Sequence, residues 1–182
     1  MRGKATVLIG LLAGVSAAAE EMNDGYRQLA ASLPIIQTSS IDKGHPWRLM
    51  FGYPLVRWDR LTLHQDWVIS YLDAEPRADS PGGHGAAFGT DLSLQWRHRQ
   101  GIALTPHYEI GGGIQYAAGT AFPAHGGRWM FTLDAGVGLL IPWNDRQLNA
   151  AIRWQHISNA SVFPNNAGYD AIHLVLAIRW GR

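Results

Sequence analysis

Three residues near the end of the chain have the types and spacing for nucleophilic ester chemistry: His156, Ser158 and Asp170. A serine hydroxyl is a weak nucleophile until a neighbouring base takes its proton. His156 can be that base. Asp170 can hold the imidazole in one tautomer and stabilise the imidazolium as it forms. Residues two apart share a face only on a strand. The chemistry therefore depends on whether a strand carries His156 and Ser158, and on whether a neighbouring strand brings Asp170 alongside.

The segment around them reads as strand. Ile152 and Trp154 alternate with Arg153 and Gln155 and put His156 and Ser158 on the apolar side. Asp170 shares parity with Ile172, Leu174, Leu176 and Ile178. The same two-residue period, the signature of strands, recurs over most of the chain. It runs from Trp47 to Leu55, Leu61 to Tyr71, Phe88 to Trp96, Ile102 to Tyr116, and Trp129 to Ile141. A weaker strand fits around Arg27 to Ser39, which brings the count to eight.

Such strands suit either a soluble barrel or an outer-membrane barrel. In the second the apolar face points to lipid and the polar face fills the lumen. Three features favour it. The apolar faces are bulky, with Trp or Tyr near strand ends. The opposite faces carry Arg48, Asp66, Asp91, Arg97, Glu109, Asp134, Arg153 and Arg179, charges of both signs that can pair in a narrow lumen, among many glycines. Each strand has about the 9–11 residues that a tilted membrane strand needs. Connections alternate between long (Leu72 to Gly85, Ala117 to Gly127, Ala160 to Tyr169) and short (Asp59-Arg60, His98 to Gln100, Pro142 to Arg146). Long extracellular loops and short periplasmic turns have this rhythm. The expected fold is an all-β, eight-stranded antiparallel transmembrane barrel in the outer membrane, with the three residues on its outer face near the extracellular rim.

The first segment is a separate object. Arg2 and Lys4 precede an apolar run, Ala5 to Val15, and Ala17-Ala18-Ala19 follows. This is the pattern of a secretory signal peptide. We expect residues 1–19 to be the signal and 20–182 to be one barrel domain. The net charge of +1 gives no case for a nucleic-acid partner, and the absence of cysteine excludes disulfides and thiolate metal sites. His64 with Asp66, and His107 with Glu109, have spacings that suggest metal pairs, but both fall on the lumen face and are read as polar network. Gly111-Gly112-Gly113 lacks the Lys-Ser/Thr of a phosphate loop, and neither G-x-S-x-G nor H-E-x-x-H occurs.

The string His156-Ile157-Ser158-Asn159-Ala160, followed by Asn166, Gly168 and the acid at 170, resembles the lipid A 3-O-deacylase family (PagL type). The resemblance is closest over the last hairpin and extends as strand rhythm over the rest. It implies an eight-stranded outer-membrane barrel that hydrolyses the 3-O-linked acyl ester of lipid A. It implies His156 as base, Ser158 as nucleophile and Asp170 as acid, with Asn159 and Asn166 beside the site for oxyanion stabilisation or shaping. Phe131 falls where the family has a phenylalanine near the active site. There are two departures: well-known members have Glu where this chain has Asp170, and Ser161 replaces a frequent glycine. The expected partners are lipopolysaccharide as substrate, surrounding outer-membrane lipids and a second copy in a homodimer. No cofactor or metal is expected. The rival readings are a non-catalytic structural or adhesive outer-membrane barrel and a soluble periplasmic barrel that holds an apolar ligand.

Overall fold

The computed structural model describes residues 25–38, 44–76, 82–98, 104–119, 127–162 and 168–181. The segment expected to be a signal peptide lies outside them. Eight strands follow one another: β1 (Arg27–Gln37), β2 (Trp47–Trp58), β3 (Leu61–Ala74), β4 (Gly83–Arg97), β5 (Thr105–Gly119), β6 (Trp129–Trp143), β7 (Arg146–Ser158) and β8 (Tyr169–Trp180). Each pairs antiparallel with the next, and β1 pairs with β8 to close the barrel. Closure leaves no strand edge unpaired, which a spanning sheet in lipid requires.

The side-chain distribution is that of a membrane barrel. Leu29, Phe51, Trp67, Ile110, Leu133, Val137 and Leu176 are exposed on the outer wall, while Arg48, His64, Asp66, Asp91, His107, Gln155 and His173 are buried inside. This inversion favours the lipid-facing reading over the soluble barrel. Trp47 and Trp129 mark upper strand ends. Trp58, Trp96, Trp143 and Trp180 mark lower ones. They form the two interfacial girdles of a spanning barrel.

Inside, the expected charge pairing is present. Arg48 bonds the Asp91 carboxylate and lies 3.6 Å from Asp134. Arg153 donates to Glu109 at 2.8 Å from both Nε and Nη2. Gln28 donates to Asp66, and Arg179 donates to Gln28 and Gln95. Arg97 reaches Thr62 at 3.5 Å. His64 meets the Tyr26 hydroxyl at 2.9 Å, and His107 lies 3.7 Å from Glu109, so both histidines belong to this network. Gly113 makes room for it: a Cβ there would collide with the Asp91 side chain and the Thr90 carbonyl. Leu72, Ala87, Ala117, Met130, Ile157, Tyr169 and Ala171 form an apolar layer at the upper end of the lumen. Lower down, the free space among Asp66, Glu109, Arg153 and Arg179 is about 10 Å³. That is at the lower limit of the space needed for one water.

The structure corrects the sequence reading at three kinds of place. Leu55, expected on the lipid face, is buried, because the β2–β3 register shifts between Pro54 and Val56. A matching shift in β1 lies between Pro34 and Ile36. Proline has no N–H for the ladder, so an extra residue is accommodated beside it as a bulge. The strand expected from Ile102 begins at Thr105, and Ile102 lies outside the described residues. Several strands also run further into the long connections than expected: β3 reaches Ala74 and β5 reaches Gly119. Long connections still gather at one end. The tight turns at Asp59-Arg60 and Asn144-Asp145 lie at the other, with Arg27 and Trp180.

Candidate active site

The last hairpin carries the site at the long-loop end. β7 and β8 pair with His156 directly opposite Asp170, next to Ile157 opposite Tyr169. Cβ atoms of directly opposed residues lie only about 4.5–5.5 Å apart. A short carboxylate therefore suffices: His156 Nδ1 and Asp170 Oδ1 are 3.0 Å apart. Both side chains are 32% exposed, so the pair is open to the outer surface. Arg153, Gln155 and His173 of alternate parity point into the lumen and are buried, while Ile152 and Leu176 are exposed on the wall. The outward placement expected for His156 and Asp170 follows from that alternation.

Ser158 is the last residue of β7, with the parity of His156, and is only 7% exposed. It lies opposite Phe131 of β6, and His156 lies opposite Leu133. The Ala160 N–H points at Ser158 Oγ at 3.4 Å. The structure thus joins His156 and Asp170 by a hydrogen bond and relates Ser158 to His156 by shared face and spacing.

Beyond Ser158 the chain turns sharply. The Val162 N–H donates to the Asn159 carbonyl at 3.0 Å, and both central residues, Ala160 (φ 52°) and Ser161 (φ 58°), are left-handed. Two positive φ values in succession are those of a type I′ turn. The turn swings the backbone N–H of Ala160 back toward the serine. Asn159 is fully buried. Asn166 lies outside the described residues.

Three groups at the site are not recognisable from the sequence pattern. The Trp154 indole lies nearly parallel to the His156 imidazole, with centroids 6.1 Å apart and planes 21° apart. The backbone of Gly168 approaches the ring on another side: a Cβ there would lie 2.8 Å from His156 Cε1. The third is the Ala160 N–H. The signal for Trp154 is its place two residues before His156 on the same face. Gly168 belongs to the string that carries the family resemblance, but its contact with the ring does not show in the pattern. Among the described residues, no cluster of His, Cys, Asp and Glu has the geometry to hold a metal ion.

An eight-stranded barrel with lipid-exposed walls, aromatic girdles and a filled lumen is an outer-membrane β-barrel. This one carries a histidine–carboxylate pair on its outer wall at the loop end. The family model "Lipid A 3-O-deacylase (PagL)" matches residues 45–179, from just before β2 to the penultimate residue of β8. The chain therefore belongs to the lipid A 3-O-deacylase (PagL) family. Its fold is similar to the crystal structure of the outer membrane enzyme PagL, with a TM-score of 0.57 and 21% identity over 82% of this chain and 97% of that one. It is also similar to Neisserial surface protein A, with a TM-score of 0.60 and 15% identity over 88% and 98%. The outer membrane protein OprG from Pseudomonas aeruginosa follows, with a TM-score of 0.51 and 13% identity over 87% and 97%. At these identities the structures speak to the fold alone. No curated protein matches the chain.

Proposed function

We propose that this protein is a lipid A 3-O-deacylase working as a serine esterase, with Ser158 as nucleophile, His156 as general base and acid, and Asp170 as the group that orients the imidazole. The observation that carries this reading is the 3.0 Å bond between His156 and Asp170 on a lipid-facing wall, in a chain of this family. Polar groups facing lipid are costly unless they are used or paired.

The steps balance as follows. With Nδ1–H donated to Asp170, the lone pair of His156 sits on Nε2. Ser158 Oγ attacks the ester carbonyl as its proton passes to Nε2. The resulting oxyanion is met by backbone donors such as the Ala160 N–H, which already faces Oγ. Collapse breaks the bond to the sugar 3-oxygen, which takes the proton from His156. Water then attacks the acyl-enzyme, gives a proton to His156 and releases the fatty acid, and the proton returns to Ser158. Asn159 is buried and shapes the turn in this scheme. Asn166 keeps the supporting role that the resemblance assigns it. Phe131, opposite Ser158, forms the apolar side of the acyl approach.

The test is mass spectrometry of lipid A from cells that express the wild type or Ser158→Ala. Wild type should remove one 3-linked acyl chain, and the variant should lose at least about 10³-fold in rate. Equal rates would sink the serine assignment. No activity of the wild type on any lipid ester would favour the non-catalytic barrel.

A further inference from the structure

We infer that Trp154 is a positioning residue for His156, a flat support that fixes the plane of the imidazole and stabilises it when it becomes charged. This inference rests on the deacylase reading above.

The location of Trp154 is the first argument. Trp47, Trp58, Trp96, Trp129, Trp143 and Trp180 lie at or next to strand ends, where an interfacial girdle needs them, and Trp67, inside β3, stacks on Phe88 of the next strand. Trp154 lies four residues inside the end of β7, so girdle anchoring does not account for it. Its cross-strand neighbours are Ala135 and Ile172, so the aromatic surface beside it belongs to His156. The rings are 6.1 Å apart and nearly parallel, within the range of offset-stacked aromatic pairs.

The chemistry is the second. The bond from Nδ1 to Asp170 fixes one atom of the ring but leaves the ring free to tilt about that bond. A tilt would swing Nε2 away from Ser158. Trp154 on one side and the close backbone of Gly168 on another restrict it. A tryptophan face also attracts a cation more strongly than other aromatic faces. In the proposed mechanism the imidazole gains a positive charge as it takes the serine proton. The attraction is therefore greater in the transition state than in the ground state, which is the condition for raising kcat.

The test compares wild type, Trp154→Leu and Trp154→Phe in detergent-folded protein acting on lipopolysaccharide. Leucine keeps an apolar wall and removes the ring, and phenylalanine keeps a smaller ring. We expect Trp154→Leu to lower kcat about tenfold with KM within about twofold, and Trp154→Phe to recover most of the loss. The ring proton resonances of His156, assigned with His156→Gln, should lose an indole ring-current shift in Trp154→Leu. A rise in KM with kcat unchanged would overturn the proposal and make Trp154 a contact for the acyl chain. Wild-type kcat in Trp154→Leu, or unmoved His156 resonances, would also overturn it. Full activity in Ser158→Ala is a separate failure: it would remove the deacylase mechanism itself, whatever Trp154 does.

Discussion

At the scale of single residues, the pairing of His156 with Asp170 is legible in the amino-acid pattern. Parity puts both on one wall, and the spacing puts them on adjacent strands. The pattern leaves open whether an aspartate can replace a longer acid. Direct opposition across β7 and β8 lets the 3.0 Å bond between His156 and Asp170 form without an extra methylene. Asp170→Asn keeps the size and removes the charge. It also lets the amide favour the wrong imidazole tautomer. We expect kcat to fall by about 10⁴-fold with folding unchanged, measured by release of 3-linked acyl chain. The contacts of Trp154 and Gly168 with His156 are not legible in the pattern. A stacked ring two residues away reads as one more wall residue. A missing Cβ matters only once the loop has brought Gly168 against the ring.

At the scale of elements, seven strands are visible from alternation alone, and the eighth is weaker because Pro34 interrupts it. Alternation assumes one residue per step. It therefore carries Leu55 to the wrong face, since nothing in a period of two shows an inserted residue. The two prolines at the register shifts are the available signal. The turn after β7 contains a local conflict of its own. Ala160 and Ser161 both hold positive φ without being glycine. Left-handed backbone costs an L-residue about 1–2 kcal/mol. Glycine returns about 0.5–1 kcal/mol of that through the freedom it gains in the unfolded chain. Ser161→Gly should therefore stabilise the folded barrel by up to about 1 kcal/mol, read as a higher urea midpoint of the detergent-folded protein. A lower midpoint would mean that the serine side chain contributes more to the turn than its backbone costs.

At the scale of the whole molecule, the alternation shows which charges enter the lumen but not their partners. Arg48 on β2 bonds to Asp91 on β4, two strands away, and Arg153 on β7 bonds to Glu109 on β5. Such matches depend on how the closed sheet staggers its strands, which hydrophobic pattern does not encode. The network is the inner scaffold of the barrel, so its charges should be coupled. Glu109→Leu leaves Arg153 buried without its nearest carboxylate and should cost about 3–5 kcal/mol. Adding Arg153→Met should recover much of that loss, because an apolar pair no longer carries an orphaned charge. Unfolding midpoints of the two variants in urea check both statements. If the double variant is no more stable than the single one, the two residues are not coupled as the geometry implies.

Under the proposed mechanism, the placement of the histidine–aspartate pair on the outer wall also changes which variable governs the rate. A site in a water-filled cleft samples molecules from a volume. A site on the wall of a barrel samples its neighbours within a sheet, by lateral diffusion in two dimensions. Turnover then follows the mole fraction of susceptible lipid in the leaflet, not its concentration in the suspension. Diluting a suspension of membranes with buffer leaves each barrel's surroundings unchanged, whereas mixing inert lipid into the same leaflet starves it.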